Sequence, residues 1–373
     1  MATRPIRPTT SRSDSFPMSP PHTSPKPSPP ADRDGSAAVA STPTGPVTPK
    51  ERIHALDILR GFALCGIIFI NIPQTMGMFH SAAALPDGLR WFVLGRFYPI
   101  FYTLFGIGFG LFLRSAARRT DRPRVLLLRR LVALAVMGGL LHLIQPGEVL
   151  LPFAITGVVV LLPVSYLSGR VNLVLGVVLT LAGIAVGVGG LGLLPGLFTL
   201  GFALADLDIP RTLGERTRQL VVLAVSSIAV SLLMVALVFA GLPDIAQIRI
   251  GTTLSLAMAF SYAAVFLLLV LRTPLGRGLG FLLAPMGRMA LTNYLTQAVL
   301  FVSFGTLLGL RDSSNWALAI GLGWCILAVQ ATWSRGWLSR FTYGPLEWVW
   351  RCVTYWRALP IRSSARPVPS GAA

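Results

Sequence analysis

Apolar runs of about 18 to 23 residues recur from Ile53 to Ser334, each long enough to cross a hydrocarbon core about 30 Å thick. Composition points the same way: 53% of the 373 residues are hydrophobic and only 12% are charged, which excludes a soluble globule. The expected fold is all-α, a polytopic transmembrane helical bundle over 51–334 with about ten membrane segments. They are expected near 55–79, 91–113, 127–145, 149–167, 171–190, 193–206, 219–241, 249–271, 286–308 and 316–334. The sixth is short, and GVGGLGLLPG ahead of it leaves open one broken hairpin and nine crossings.

A net charge of +18 raises the question of nucleic acid, but the basic residues lie between apolar runs rather than on one face, so no nucleic-acid partner is expected. They act instead as topology signals. Arg114, Arg118, Arg119, Arg122, Arg124, Arg129 and Arg130 crowd the loop after the second segment, and opposite loops hold little beyond Arg90, Arg249 and Arg311. By the positive-inside rule both termini are cytoplasmic, in a multi-pass protein of the cytoplasmic membrane. Cys65, Cys325 and Cys352 are scattered without a CxxC pair, so neither a disulfide nor a metal site is expected.

Residues 1–50 carry 12 of the 28 prolines and read as a disordered cytoplasmic tail, with a second tail at 362–373. Between bundle and tail, 335–361 reads as a cytoplasmic interfacial region. Its YGPLEWVWRCVTYW predicts a helix with Glu347 and Arg351 spaced for an ion pair and Trp348, Trp350 and Trp356 as anchors. GxxxG spacings at Gly106/Gly110, Gly183/Gly187 and Gly305/Gly309 predict close helix approach.

Few residues can carry chemistry. In LDILRGFALCGIIFINI, Asp57 and Arg60 are helical neighbours, and His54 lies one turn earlier. This polar stripe either seats the first helix at the lipid surface or faces the bundle and binds an anion. In GGLLHLIQPGEVLLPF a helix ends at Pro146-Gly147 and another begins at Glu148, which could orient His142 as a general base. The alternative is a histidine tying two helices together. Within APMGRMALTNYLTQAVLF, Arg288, Asn293, Tyr294 and Gln297 form either a substrate lining or an interhelical hydrogen-bond set. Arg96 is a further buried charge, set to counter Glu148 or a substrate anion.

The motifs LDILRGFALCGIIFINI, RFYPIFYTLFGIGFG, RRLVALAVMGGLLHLIQPGEVL, PMGRMALTNYLTQ and FTYGPLEWVWR together resemble the YeiB-type bacterial membrane proteins, the domain of unknown function 418 family. That family commonly has Gly-Asp-Ile-Leu where this chain has Gly147-Glu148-Val149-Leu150. Its LDxLRG opening is similar to that of membrane acyltransferases, including sugar O-acetyltransferases and the lysosomal heparan glucosaminide N-acetyltransferase. The resemblance implies an acyl-CoA such as acetyl-CoA as co-substrate, with no tightly bound cofactor. The donor would enter near Arg60, and a small-molecule, lipid or glycan acceptor would receive the acyl group within the surrounding membrane lipids. His142 and Glu148 would then be catalytic, with Asp57, Arg60, Arg96, Arg288, Asn293, Tyr294 and Gln297 binding donor or substrate. The alternative is a small-molecule transporter whose pathway the same groups line. Oligomeric state is left open.

Overall fold

A computed structural model of the chain describes residues 53–80, 85–240 and 243–362. The tail expected at 1–50 and, apart from Arg362, the tail expected at 362–373 lie outside these residues. Among the described residues there are fourteen α-helices and no β-strand. Eight stretches are long and apolar enough to cross a membrane, so the chain is a multi-pass helical membrane protein.

The other two expected segments are helical but shorter or more polar. Helix α5 (Leu150–Thr156) runs through a π-helical turn into α6 (Leu162–Val164), a stretch of only Leu150–Val164. Helix α12 (Ala290–Leu307) carries Thr, Asn and Gln on its buried side. The fifth and sixth segments do not merge: α7 (Gly169–Val186) and α8 (Leu194–Asp206) pack against each other across a 3-10 turn, Gly189–Leu193.

Helix α1 (His54–Thr75) is the axis of the bundle, with 72% of its apolar window buried, against 11% for α9 (Thr217–Val238), whose Val222, Val225 and Leu232 face outward. Against α1 pack α3 (Tyr98–Ala117), α10 (Asp244–Arg272), α11 (Leu275–Arg288), α12 and α13 (Trp316–Leu338). A short exposed helix, α2 (Asp87–Phe92), precedes α3, and α4 (Pro123–His142) forms a hairpin with α5. The final helix, α14 (Pro345–Tyr355), lies against α4 and the start of α12. Ile53 at the start of α1 and Arg351 of α14 line one cavity, so the first and last described elements meet at one end of the bundle. An even number of crossings places them so.

The glycine spacings resolve into two different devices. Gly106 and Gly110 of α3 both meet the backbone of α8 around Phe198 and Phe202, and Gly201 of α8 answers against Thr103. That is close helix approach through paired small residues. In the other two spacings only the first glycine packs, Gly183 on Gly192 and Gly305 on the Met76 sulfur. The second, Gly187 or Gly309, has φ of +76° or +68° and ends its helix in the left-handed conformation that glycine adopts without a Cβ penalty.

Several boundaries differ from the sequence reading: the second segment, expected from residue 91, begins at Tyr98, and the helix expected to end at Pro146-Gly147 ends at His142, the next beginning at Leu150 rather than Glu148. Arg249, assigned to a loop, lies inside α10, which begins at Asp244. The ninth segment is split at Met289, and residues 275–285, expected as a basic loop, belong to α11. GRGLG has the composition of a loop, but Gly280 and, further along the helix, Gly287 form a smooth face: Gly280 approaches Ile58, and Gly287 approaches the backbone at Asp57 and Gly61. Tertiary packing on α1 overrides weak helix propensity there.

Candidate functional site

Where α1, α3, α4, α12 and the C-terminal segment converge, they enclose a cavity of about 250 Å³. Its mouth is cationic. Six arginines line it, from α1 (Arg60), the α3–α4 turn (Arg118), α4 (Arg130), the turn after α8 (Arg211), the end of α11 (Arg288) and α14 (Arg351), against two carboxylates, Asp57 and Glu347. Arg118 and Arg211 are exposed at the rim. The deep end is apolar and aromatic: Phe101, Leu104, Phe105, Val149, Leu150 and Tyr294, with Phe105 set edge-on against Phe153 at 4.6 Å between centroids.

Local sequence explains the walls. Asp57 sits in the first turn of α1, where a carboxylate is favoured by the helix dipole, and it accepts from Arg60 Nη1 at 2.9 Å one turn on. Glu347 reaches from α14 to the N-terminus of α12. Its Oε1 accepts from the backbone N–H groups of Leu291 (2.8 Å) and Thr292 (3.1 Å), and its Oε2 accepts from the Thr292 hydroxyl. This carboxylate therefore caps a helix broken at Met289. Burial pushes the Glu347 carboxyl above the usual carboxylate range, and the hydrogen bonds from Thr292 and Leu291 oppose that shift. The predicted anchor Trp350 is instead packed inside, its Nε1 donating to the Arg130 carbonyl at 2.8 Å, while Trp356 stays 77% exposed.

The structure divides the residues picked out from the sequence into three groups. Asp57, Arg60, Arg288 and Tyr294 share the cavity. Tyr294 is 3% exposed at its floor, and its hydroxyl accepts from the Val149 N–H at 3.3 Å. Glu148, 2% exposed, stands directly behind that floor and caps α5, accepting from the amides of Leu150 and Leu151. His142, at the end of α4, is exposed and outside the cavity; it makes no hydrogen bond with Glu148, although it is near enough to act on it electrostatically.

The third group ties helices together away from the cavity. Arg96 is buried between the α2 end and α10, donating to Ser255 Oγ (2.6 Å) and the Trp91 carbonyl (3.2 Å). Asn293 Nδ2 donates to Ser334 Oγ at 2.9 Å, and Gln297 Nε2 to Gln330 Oε1 at 2.8 Å, so both bind α12 to α13. Neither Arg96 nor Glu148 serves as the other's counter-charge: each has other partners.

Arg130, Arg351, Glu347 and Trp350 are cavity residues that the sequence reading had assigned to topology or anchoring. One signal for Arg130 was present: it lies inside the expected span of 127–145, where an ionisable group is costly and faces the bundle.

Fold and site define a polytopic helical membrane protein with an arginine-mouthed cavity sunk into one end. Comparison with known proteins gives the family. Residues 204–357 match the family model described as "Protein of unknown function (DUF418)". The chain is 33% identical over 339 residues to an uncharacterized 39.9 kDa protein in the amylase 3' region of Bacillus acidopullulyticus, covering 85% of this chain and 97% of that relative. It is 26% identical over 420 residues to the uncharacterized protein YxaH of Bacillus subtilis (strain 168), covering 86% and 98%. The chain belongs to the DUF418 family. No solved structure matches it.

Proposed function

We propose that the protein is a membrane acyltransferase of the cytoplasmic membrane, which takes an acyl group from an acyl-CoA entering at the arginine-rich, cytoplasmic end and passes it to a hydroxyl or amine acceptor. One observation carries this reading. The cavity joins a cationic mouth to an apolar, aromatic interior whose lining includes Val149, the residue after Glu148. Coenzyme A has the matching shape, phosphates at one end and a slender arm carrying the thioester at the other. About 250 Å³ is smaller than a pocket for a whole drug-sized ligand, so it suits the arm and leaves the nucleotide at the rim beside Arg118 and Arg211.

In the reaction, the acceptor oxygen or nitrogen attacks the thioester carbonyl. The carbon–sulfur bond breaks as the new acyl bond forms, and the acceptor's proton ends on the coenzyme A thiol. Glu148 and His142 lie on the far side of the floor from the mouth, so in this reading the acceptor approaches from there and His142, within electrostatic range of Glu148, removes its proton. The Val149–Tyr294 contact is the partition the acyl group must pass.

A second reading, a transporter of an anionic small molecule, is favoured by the same partition. Beyond it lies a polar group in which the Tyr98 hydroxyl donates to Asn71 Oδ1 at 3.0 Å, which in this reading continues the pathway. Purified protein in lipid nanodiscs separates the two. The transferase reading expects saturable acetyl-CoA binding with thiol release in the presence of acceptor, and His142→Ala lowers release about 100-fold while binding is retained. Binding without release, together with uptake of the ligand into proteoliposomes, would establish the transporter instead.

A further inference from the structure

We infer that Arg130, held against the rings of Trp350 and Phe112, binds the phosphoryl group of an amphipathic ligand whose apolar chain lies along Phe101, Leu104 and Phe105. The inference rests on the cavity being a ligand site, and it does not depend on acyl transfer.

Most buried or half-buried arginines of this chain are tied to oxygen. Arg96 donates to Ser255, Arg114 to Asp208 and the Ala205 carbonyl, and Arg124 to Ser165. Arg130 differs. Its guanidinium carbon lies 3.7 Å from the centroid of the Trp350 ring and 4.7 Å from that of Phe112, and its Nε is buried without a hydrogen-bond partner. Among the described residues its side chain makes no hydrogen bond and no ion pair, and Arg60 and Arg351 act on it as like charges.

Aromatic faces attract a guanidinium but give its N–H groups no strong acceptor. The guanidinium is therefore held in place with its Nε out of water and unused, which is a poor arrangement for stability and a good one for an incoming anion. The two carboxylates of the wall are already engaged, Asp57 with Arg60 and Glu347 with the amides of α12. The charge of the lining selects the anion. A phosphate carries roughly −1.5 to −2, more than a single carboxylate, and matches the arginine fork in bidentate geometry. The ligand is thus a phosphate ester with an apolar or slender chain, whether a coenzyme A thioester or a lipid phosphate.

Trp350 makes this readable, because it both touches the guanidinium and hydrogen-bonds the Arg130 carbonyl, a bond that side-chain substitution leaves in place. Full-length protein in phosphatidylcholine nanodiscs would be titrated with coenzyme A and, separately, with lysophosphatidic acid, by calorimetry and tryptophan fluorescence. Pantetheine and a monoacylglycerol serve as the uncharged counterparts. At least one phosphorylated probe is expected to bind saturably and its counterpart at least 10-fold more weakly. Arg130→Gln is expected to weaken binding about 10- to 100-fold, Arg130→Lys less, and Arg170→Gln, on the same face but outside the cavity, not at all. Coenzyme A binding that depends on Arg130, with no thiol release from acetyl-CoA in the presence of acceptor, would sink the transferase and leave this inference standing, as would binding of the lipid phosphate alone. Absence of binding by both phosphorylated probes, or equal binding of the uncharged ones, would overturn it. Undiminished binding in folded Arg130→Gln would do the same.

Discussion

Gly287→Ala is expected to lower stability by about 3 kcal/mol, at the upper end of the range for overpacking, because a methyl group there would overlap the Asp57 carbonyl oxygen of α1. A flexible side chain could move aside, but here the obstacle is main chain. Gly61 makes the reciprocal approach to the Leu283 carbonyl, so α1 and α11 are held at a separation that neither can increase locally. Displacing them would also shift Asp57, Arg60 and Arg288 at the cavity mouth. Thermal unfolding in detergent should show the loss directly. Gly278→Ala, on the same helix with nothing within 4 Å of the new carbon, is the control and should raise stability by up to about 1 kcal/mol, the difference in helix propensity. Equal midpoints for the two variants would show that α1 and α11 are not in the contact described.

Removal of the Glu347 carboxylate is expected to cost roughly 3 kcal/mol and to release the C-terminal helix. Glu347→Ala leaves the Leu291 and Thr292 amides and the Thr292 hydroxyl without their acceptor; hydrogen bonds to a charged group contribute roughly 1.5 to 3 kcal/mol each, and relief of the carboxylate's burial penalty offsets part of that loss. Because the same carboxylate joins α14 to α12, loss should be local as well as global. Hydrogen exchange of the 345–355 amides should accelerate, and Trp350 should lose its contact with Arg130. Glu347→Gln, which keeps one acceptor oxygen, should show a smaller effect. Unchanged exchange in Glu347→Ala would mean that α14 is held by its tryptophans alone.

Much of the architecture was legible because lipid imposes a simple rule: a crossing helix needs about 20 apolar residues, and α1, α3, α9 and α13 each announce themselves by that length. The split at Met289 was not legible, since the apolar pattern continues across it and the cap that stabilises the break comes from Glu347, far along the chain. Periodicity likewise could not separate the two faces of α12. Tyr294 faces the cavity, whereas Asn293 and Gln297 turn to α13, and only the positions of Ser334 and Gln330 decide between lining and packing. Asp57 and Arg60 were found as a pair from their spacing. Arg130 was hidden among the seven arginines of a topology signal, where Arg118, Arg122 and Arg129 are exposed and its own burial is a matter of tertiary contact.

The most direct test of the central claim, a cavity that opens only at the arginine-rich end and holds a ligand, is thiol labelling of Ser115→Cys in a background lacking Cys65, Cys325 and Cys352. Ser115 is 6% exposed, lines the cavity and is nearly isosteric with cysteine. With a small membrane-impermeant thiosulfonate reagent, labelling is expected from the side bearing Arg118 and Arg211, not from the opposite side, and acetyl-CoA should protect the thiol. Labelling from the opposite side, or labelling that saturating acetyl-CoA and lysophosphatidic acid both leave unchanged, would contradict the account.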